Sequence, residues 1–222
     1  MKTINFFGLF EIERKTSLLA LVAFLLSLSS VFYQISVFLR GPDIKLFQPE
    51  EIMIGSIGGD IDKDYLSIIA GMSYVNSGET GYNGVVLKET ISFKLGNSEY
   101  KFHWRSFVSS WRDSSGLTVN TKEEAHPFPV MAGNAESHET LFSARRNRNI
   151  GTDIEDINSN FIKVSDFLIA FMKQKKLELS LQAITEDEEI LTITCETDFS
   201  DPIKQALGHN GEKWVTVSCW PK

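Results

Sequence analysis

The sequence predicts a mainly β protein, with one N-terminal transmembrane helix followed by a β-sandwich that carries one or two short helices. Three observations predict it. A long uncharged apolar run lies near the start, two-residue alternation of apolar and polar residues dominates the rest, and turn residues punctuate that alternation. The expected organisation is a flank over 1–15, the helix over 16–40, a stalk over 41–50 and the sandwich over 51–222.

The apolar run is TSLLALVAFLLSLSSVFYQISVFL, residues 16–39, bracketed by Arg14-Lys15 and Arg40. A helix rises about 1.5 Å per residue, so roughly 20 residues cross the ~30 Å hydrocarbon core. Gly41-Pro42 then stops the helix. A cleaved signal peptide ending at Ser27-Leu28-Ser29 is the rival reading, but the apolar run continues for ten residues beyond it. Lys2, Arg14 and Lys15 precede the run, and Arg40 and Lys45 follow it. That asymmetry predicts the N-terminus inside and the body outside a cell (inner) membrane, as a single-pass protein.

Pro42 and Pro49 bound the stalk. Leu66, Ile68, Ala70, Met72 and Tyr74 then alternate with Ser67, Gly71 and Ser73. Val85, Leu87, Ile91, Phe93 and Leu95 alternate with Lys88, Thr90, Ser92 and Lys94, and Glu89 interrupts the apolar face, which predicts a bulge or an edge there. Tyr100, Phe102 and Trp104 form a third strand. Between Ser109 and Asn160 the pattern loosens, and only Phe128–Met131 and Thr140–Ser143 read as strands. Ser165-Asp166 opens a helix carrying Phe167, Leu168, Phe171 and Met172 at helical spacing and ending in Lys173, Lys175 and Lys176. Leu177–Ala183 and Leu191–Cys195 are strands around a solvated hairpin tip, Glu186-Asp187-Glu188-Glu189. Asp201-Pro202 opens a short second helix that Gly208 closes, and Val215, Val217 and Cys219 lie on one face of the last strand.

The passage Val75-Asn76-Ser77-Gly78, a loop, then Val85–Phe93 resembles the B-to-C passage of immunoglobulin-like sandwiches in bacterial surface and membrane-anchored proteins. Phe128–Val130 followed by Glu139–Phe142 is similar to a later strand pair of such domains. The resemblance covers about 65–145. It implies an architecture and no functional residues, since many functions share the fold. The cysteine-bracketed tryptophan core of antibody domains is absent from the sequence.

Charge narrows the partners. Formal net charge is -7, and residues 41–222 alone hold 18 basic and 27 acidic residues. Such a body repels phosphate backbones, so no nucleic-acid partner is expected.

Chemistry is sparse. The stretch YVNSGETGYNG over 74–84 spaces Gly78, Gly81 and Gly84 three apart after a strand, as a phosphate loop does. A phosphate loop needs a helix next, and Val85-Val86-Leu87 is strand, so the glycines read as a strand-joining loop. Its Glu79, Tyr82 and Asn83 are the candidate partner-contact residues. His126 and His138 with Glu123, Glu124, Glu136 and Glu139 are the one set resembling metal ligands, though histidines twelve apart meet only if a hairpin joins them. Arg145, Arg146 and Arg148 form the single basic cluster, read as a solvated loop. No nucleophile motif is present, and neither cofactor nor metal is expected.

Cys195 and Cys219 pose a geometric question. If the last two strands form a simple hairpin with Glu196 opposite Lys213, the cysteines stand roughly 17 Å apart, beyond the ~7 Å a bridge allows. A disulfide then requires another arrangement, such as a parallel pair with 198–211 as crossover. Buried free thiols are the expectation and a disulfide the alternative.

The function expected is a membrane-anchored module for protein binding or self-assembly, non-enzymatic. The alternatives are an anchored metal-dependent hydrolase using His126 and His138, and a cytoplasm-facing regulatory partner of a membrane system.

Overall fold

A computed structural model describes residues 3–6, 10–13, 17–38, 41–57, 63–78, 81–113, 116–144, 161–174, 176–198 and 214–221. The chain divides into two units, Met1–Gly41 and Pro42–Lys222.

In the first unit, β1 (Thr3–Phe6) and β2 (Phe10–Glu13) form an antiparallel hairpin with Ile4 opposite Ile12 and Phe6 opposite Phe10. It lies within what the sequence marked only as a flank. Helix α1 follows, Ser17–Phe38, with no acidic residue in its first turn and no basic residue in its last. The side chains described, 20–36, are all exposed, with Leu26 at 65% and Phe32 at 64%. Among the described residues no helix is long and apolar enough to cross a membrane. The backbone of α1 spans 22 residues, a rise of about 33 Å.

The second unit is mainly β and barrel-like. Its strands, all antiparallel where they pair, are β3 (Ile44–Phe47), β4 (Glu51–Gly55), β5 (Ser67–Asn76), β6 (Gly84–Leu95), β7 (Ser98–Asp113), β8 (Gly116–Glu124), β9 (Phe128–Val130), β10 (Ala135–Ser143), β11 (Lys176–Thr185), β12 (Ile190–Asp198), β13 (Trp214–Ser218) and β14 (Trp220–Pro221). Hydrogen-bonded neighbours run β13-β4-β5-β10-β7-β6-β11-β12-β14, with β3 on β5, β8 on β7 and β9 on β6. The two ends of this path, β13 and β14, are consecutive in the chain and separated only by Cys219. The sheet therefore closes on itself, which removes two edges that would otherwise be bare.

Alternation builds the core. Ile68, Ala70, Met72 and Tyr74 of β5 face Phe93 of β6, Phe102 and Trp104 of β7, and Leu179 and Leu181 of β11 in one buried cluster. Helix α2 (Val164–Gln174) adds Phe167 and Phe171, with Phe167 edge-on to Phe93 at 5.6 Å. Each such side chain contributes roughly 1.5–3 kcal/mol on burial. The opposite face of β5, β10 and β7 carries a smaller cluster, Ile69, Leu141 and Val108 with Trp214, against which Leu117 and Val119 of β8 pack.

Several expectations hold. Glu186–Glu189 is an exposed turn joining β11 to β12, and β6 carries a bulge, at Leu87 instead of the expected Glu89: Ile184 pairs with Lys88 but Thr185 with Val86. Others change. The third strand continues to Asp113 and pairs with β8, which the sequence did not suggest. Lys176 opens β11 instead of ending the helix. Within the segment expected as a stalk, β3 pairs with β5, Ile44 opposite Asn76 and Phe47 opposite Ser73. The helix expected after Asp201-Pro202 lies outside the described residues.

The cysteine expectation is overturned. Cys195 and Cys219 form a disulfide with Cα atoms 5.3 Å apart. The hairpin register was the error. Instead of Lys213, Glu196 faces Trp220, and Cys195 faces Pro221, while β13 leaves β12 altogether to pair with β4. An antiparallel partner shifted by seven residues brings the thiols together with no parallel crossover.

Candidate functional site

The glycine-rich loop is organised by Asn76, the fully buried last residue of β5. Its Oδ1 accepts from the backbone N–H of Asp43 (3.2 Å) and of Gly78 (2.9 Å). Its Nδ2 donates to the carbonyls of Tyr82 (2.8 Å) and Val130 (3.0 Å). One side chain thereby satisfies four backbone groups from three segments, which buried backbone requires. Gly81 has φ +102, a region closed to most side chains, and a Cβ on Gly78 would stand 3.1 Å from the backbone nitrogen of Asp43. These glycines answer to loop geometry, as the strand after Gly84 predicts.

Of the candidate contact residues, Tyr82 is half-buried and Asn83 exposed, and Glu79 lies outside the described residues. Asn83 Oδ1 accepts from the N–H of Ala132 at 3.1 Å, tying the loop to the β9–β10 turn. Asp43 accepts from the hydroxyl of Ser77 at 2.5 Å, and that bond holds its carboxyl below the usual range, helped by Lys45.

The two histidines do meet one neighbourhood. His138 on β10 stacks on Phe107 (centroids 4.8 Å) and meets Phe128 edge-on (4.6 Å), and His126 lies edge-on to the same Phe107 at 5.5 Å. Burial holds His138 below its ordinary pKa, although Glu136 opposes the shift. Glu136 Oε1 is 3.4 Å from Nε2, an ion-pair distance without hydrogen-bond geometry. Glu139 points elsewhere, accepting from the backbone N–H and hydroxyl of Ser110 at 2.6 and 2.9 Å. His126 Nδ1 is 3.0 Å from the carbonyl of Glu124. Among the described residues no group of three His, Cys, Asp or Glu side chains is placed to hold a metal ion. Arg145, Arg146 and Arg148 lie outside the described residues.

Deeper in, Glu89 lies in phase with Ile91 and Phe93 on the inward face of β6 and is fully buried. Tyr74 donates its hydroxyl to Glu89 Oε1 at 2.7 Å. Burial pushes the carboxyl up to about 7, opposed by the Tyr74 bond and by nearby Thr140. The Thr140 hydroxyl and Glu89 Oε2 nonetheless make no hydrogen bond of normal geometry. Burial, and then the charge of Glu89, push the Tyr74 phenol well above its usual range. Sequence reasoning marked Glu89 as a bulge and stopped there; the signal for more was a carboxylate on the apolar face of a central strand.

The closing strand makes a fourth locus. The N–H of Cys219 donates to the carbonyl of Glu50 (3.0 Å), and Gln48 Nε2 donates to the carbonyl of Cys219 (2.5 Å). Beside it runs a groove of about 450 Å³ lined by Pro49, Glu51, Ser218 and Trp220, the last 61% exposed. A smaller groove of about 280 Å³ holds Tyr65 and Phe161, whose rings meet at 5.3 Å, with Ile57 alongside.

These loci offer a hydrogen-bonded loop, an aromatic-histidine cluster and two shallow grooves. No family model matches the chain, and neither does any curated protein or solved structure.

Proposed function

We propose that this protein is a single-pass membrane-anchored module whose β body binds a protein partner or a second copy of itself. The observation that carries the reading is α1: a 22-residue helix free of charge whose described apolar side chains are left exposed. An all-round apolar helix needs an apolar surrounding, and lipid supplies one. The disulfide favours a body on the oxidising side of that membrane, since cytosolic thiols are kept reduced. Ile57, Tyr65 and Phe161, each about half exposed beside a groove, are the kind of surface partner proteins bury. Tyr82, Asn83 and Glu79 remain further contact candidates.

The test is a reporter active only in the cytoplasm and one active only outside it, each fused after Lys222, together with alkaline extraction of membranes. The reading expects the chain to stay with the membrane pellet and the outer reporter alone to be active. Release into the alkaline supernatant sinks the anchor. Activity of the inner reporter sinks the orientation and favours the cytoplasm-facing regulatory alternative.

A further inference from the structure

The closing strand holds the two ends of the sheet together by unequal means. Toward β4 it makes a ladder of five residue pairs, Trp214–Ser218 against Glu51–Gly55. Toward β12 it makes only two, Cys195 with Pro221 and Glu196 with Trp220, and there the Cys195–Cys219 bond sits. Gln48 and Glu50, in the break between β3 and β4, fasten the same cysteine by its carbonyl and its N–H. In contrast, β5, β10, β7 and β6 each carry ladder partners along both sides. Proteins open along their least-connected boundaries first.

We propose that the Cys195–Cys219 disulfide is a redox-sensitive clasp. Breaking it frees residues 219–221 and opens the body along the β12–β14 seam, while β13 stays on β4 and the β5-β10-β7-β6 sheet stays folded. This inference concerns the body alone and holds whichever way α1 is disposed. In the reduced state the outer edge of β12 loses its partner, so the clasp governs whether that strand edge is available to another chain.

Both sulfurs are buried, Cys195 at 0% and Cys219 at 5% exposure, so a reductant reaches them only when the seam itself opens. With a water-soluble phosphine the two electrons pass from phosphorus to the disulfide. Water gives its oxygen to the phosphine oxide and its two protons to the thiols.

The experiment is amide hydrogen exchange followed by mass spectrometry on the full chain in detergent micelles, before and after phosphine reduction, and on the Cys195→Ala, Cys219→Ala double variant. A bridge across a sequence separation of 24 corresponds to a bias of roughly 300-fold toward the closed state. Exchange in 219–221 and in 195–196 is therefore expected to accelerate roughly 300-fold on reduction, with 51–55 and peptides of β5, β6, β7 and β10 unchanged. Unchanged exchange in 219–221 and 195–196 after complete reduction overturns the clasp. Acceleration spread evenly over all strands, or a double variant that does not fold, overturns the local character of the opening and assigns the bond to the stability of the whole body.

Discussion

Tyr74, on β5, donates its hydroxyl to Oε1 of Glu89, on β6, at 2.7 Å across the interior of the body. Two strands, β10 and β7, lie between them in the sheet, so the bond joins walls that the backbone ladder does not. Both groups are fully buried, which gives the pair consequences that a surface contact lacks.

The first is a pH dependence. Glu89 has a folded pKa of about 7 against an ordinary 4.5, so the folded state holds the proton more tightly. Stability from this group is full below about pH 4.5 and is lost as pH rises through 7. The difference amounts to roughly 3 kcal/mol. Glu89→Gln keeps an acceptor for Tyr74 and removes the titration. Urea unfolding should show the variant more stable than wild type at pH 8 by about 1–3 kcal/mol, with the gap closing by pH 5. Parallel pH profiles for the two proteins would rule the assignment out.

The second concerns the bond itself. Tyr74→Phe leaves Glu89 Oε1 without its donor inside the core. A loss of about 1–3 kcal/mol is expected at pH 5, and a larger one at pH 8, where the carboxylate is charged. A double-mutant cycle with Glu89→Gln should return a coupling of about 0.5–3 kcal/mol. Additive effects would show that the two side chains do not act together.

Asn76 should be intolerant of change. Asn76→Ala orphans four backbone groups and is expected to cost about 2–4 kcal/mol by thermal or urea unfolding. Asn76→Asp keeps the acceptor toward Asp43 and Gly78 but loses the donor toward Tyr82 and Val130, and should also destabilise. A neutral Asn76→Ala would remove the loop's proposed organiser.

Glu188 is the one non-glycine residue with positive φ among the described residues, at 60, in the turn between β11 and β12. Glu188→Gly relieves that conformation in an exposed turn. A gain of about 0.5–1 kcal/mol in unfolding free energy is expected, and a loss would mean the Glu188 side chain holds the turn.

Much of this was legible locally. The alternation in 66–74 and 177–183 marked strands whose inward residues are buried, because period two is a property of a single strand. The acidic tip and the Phe167/Phe171 face of α2 were legible for the same reason. Strand β8 escaped because after Leu117 and Val119 it reads Asn-Thr-Lys-Glu-Glu, an exposed edge with no buried face to announce it.

By itself, then, the sequence determined the β character, the apolar run, the turn positions and the failure of the glycine run as a phosphate loop. Each follows from residues close together in the chain. The tertiary structure decided which strands are neighbours, and with them the fates of Cys195, Glu89 and Asn76. Cys195 meets Cys219 because the closing strand changes partners at that residue, and Glu89 meets Tyr74 because the sheet curls shut. Register and closure arise from packing summed over the whole body, and no local window holds that sum.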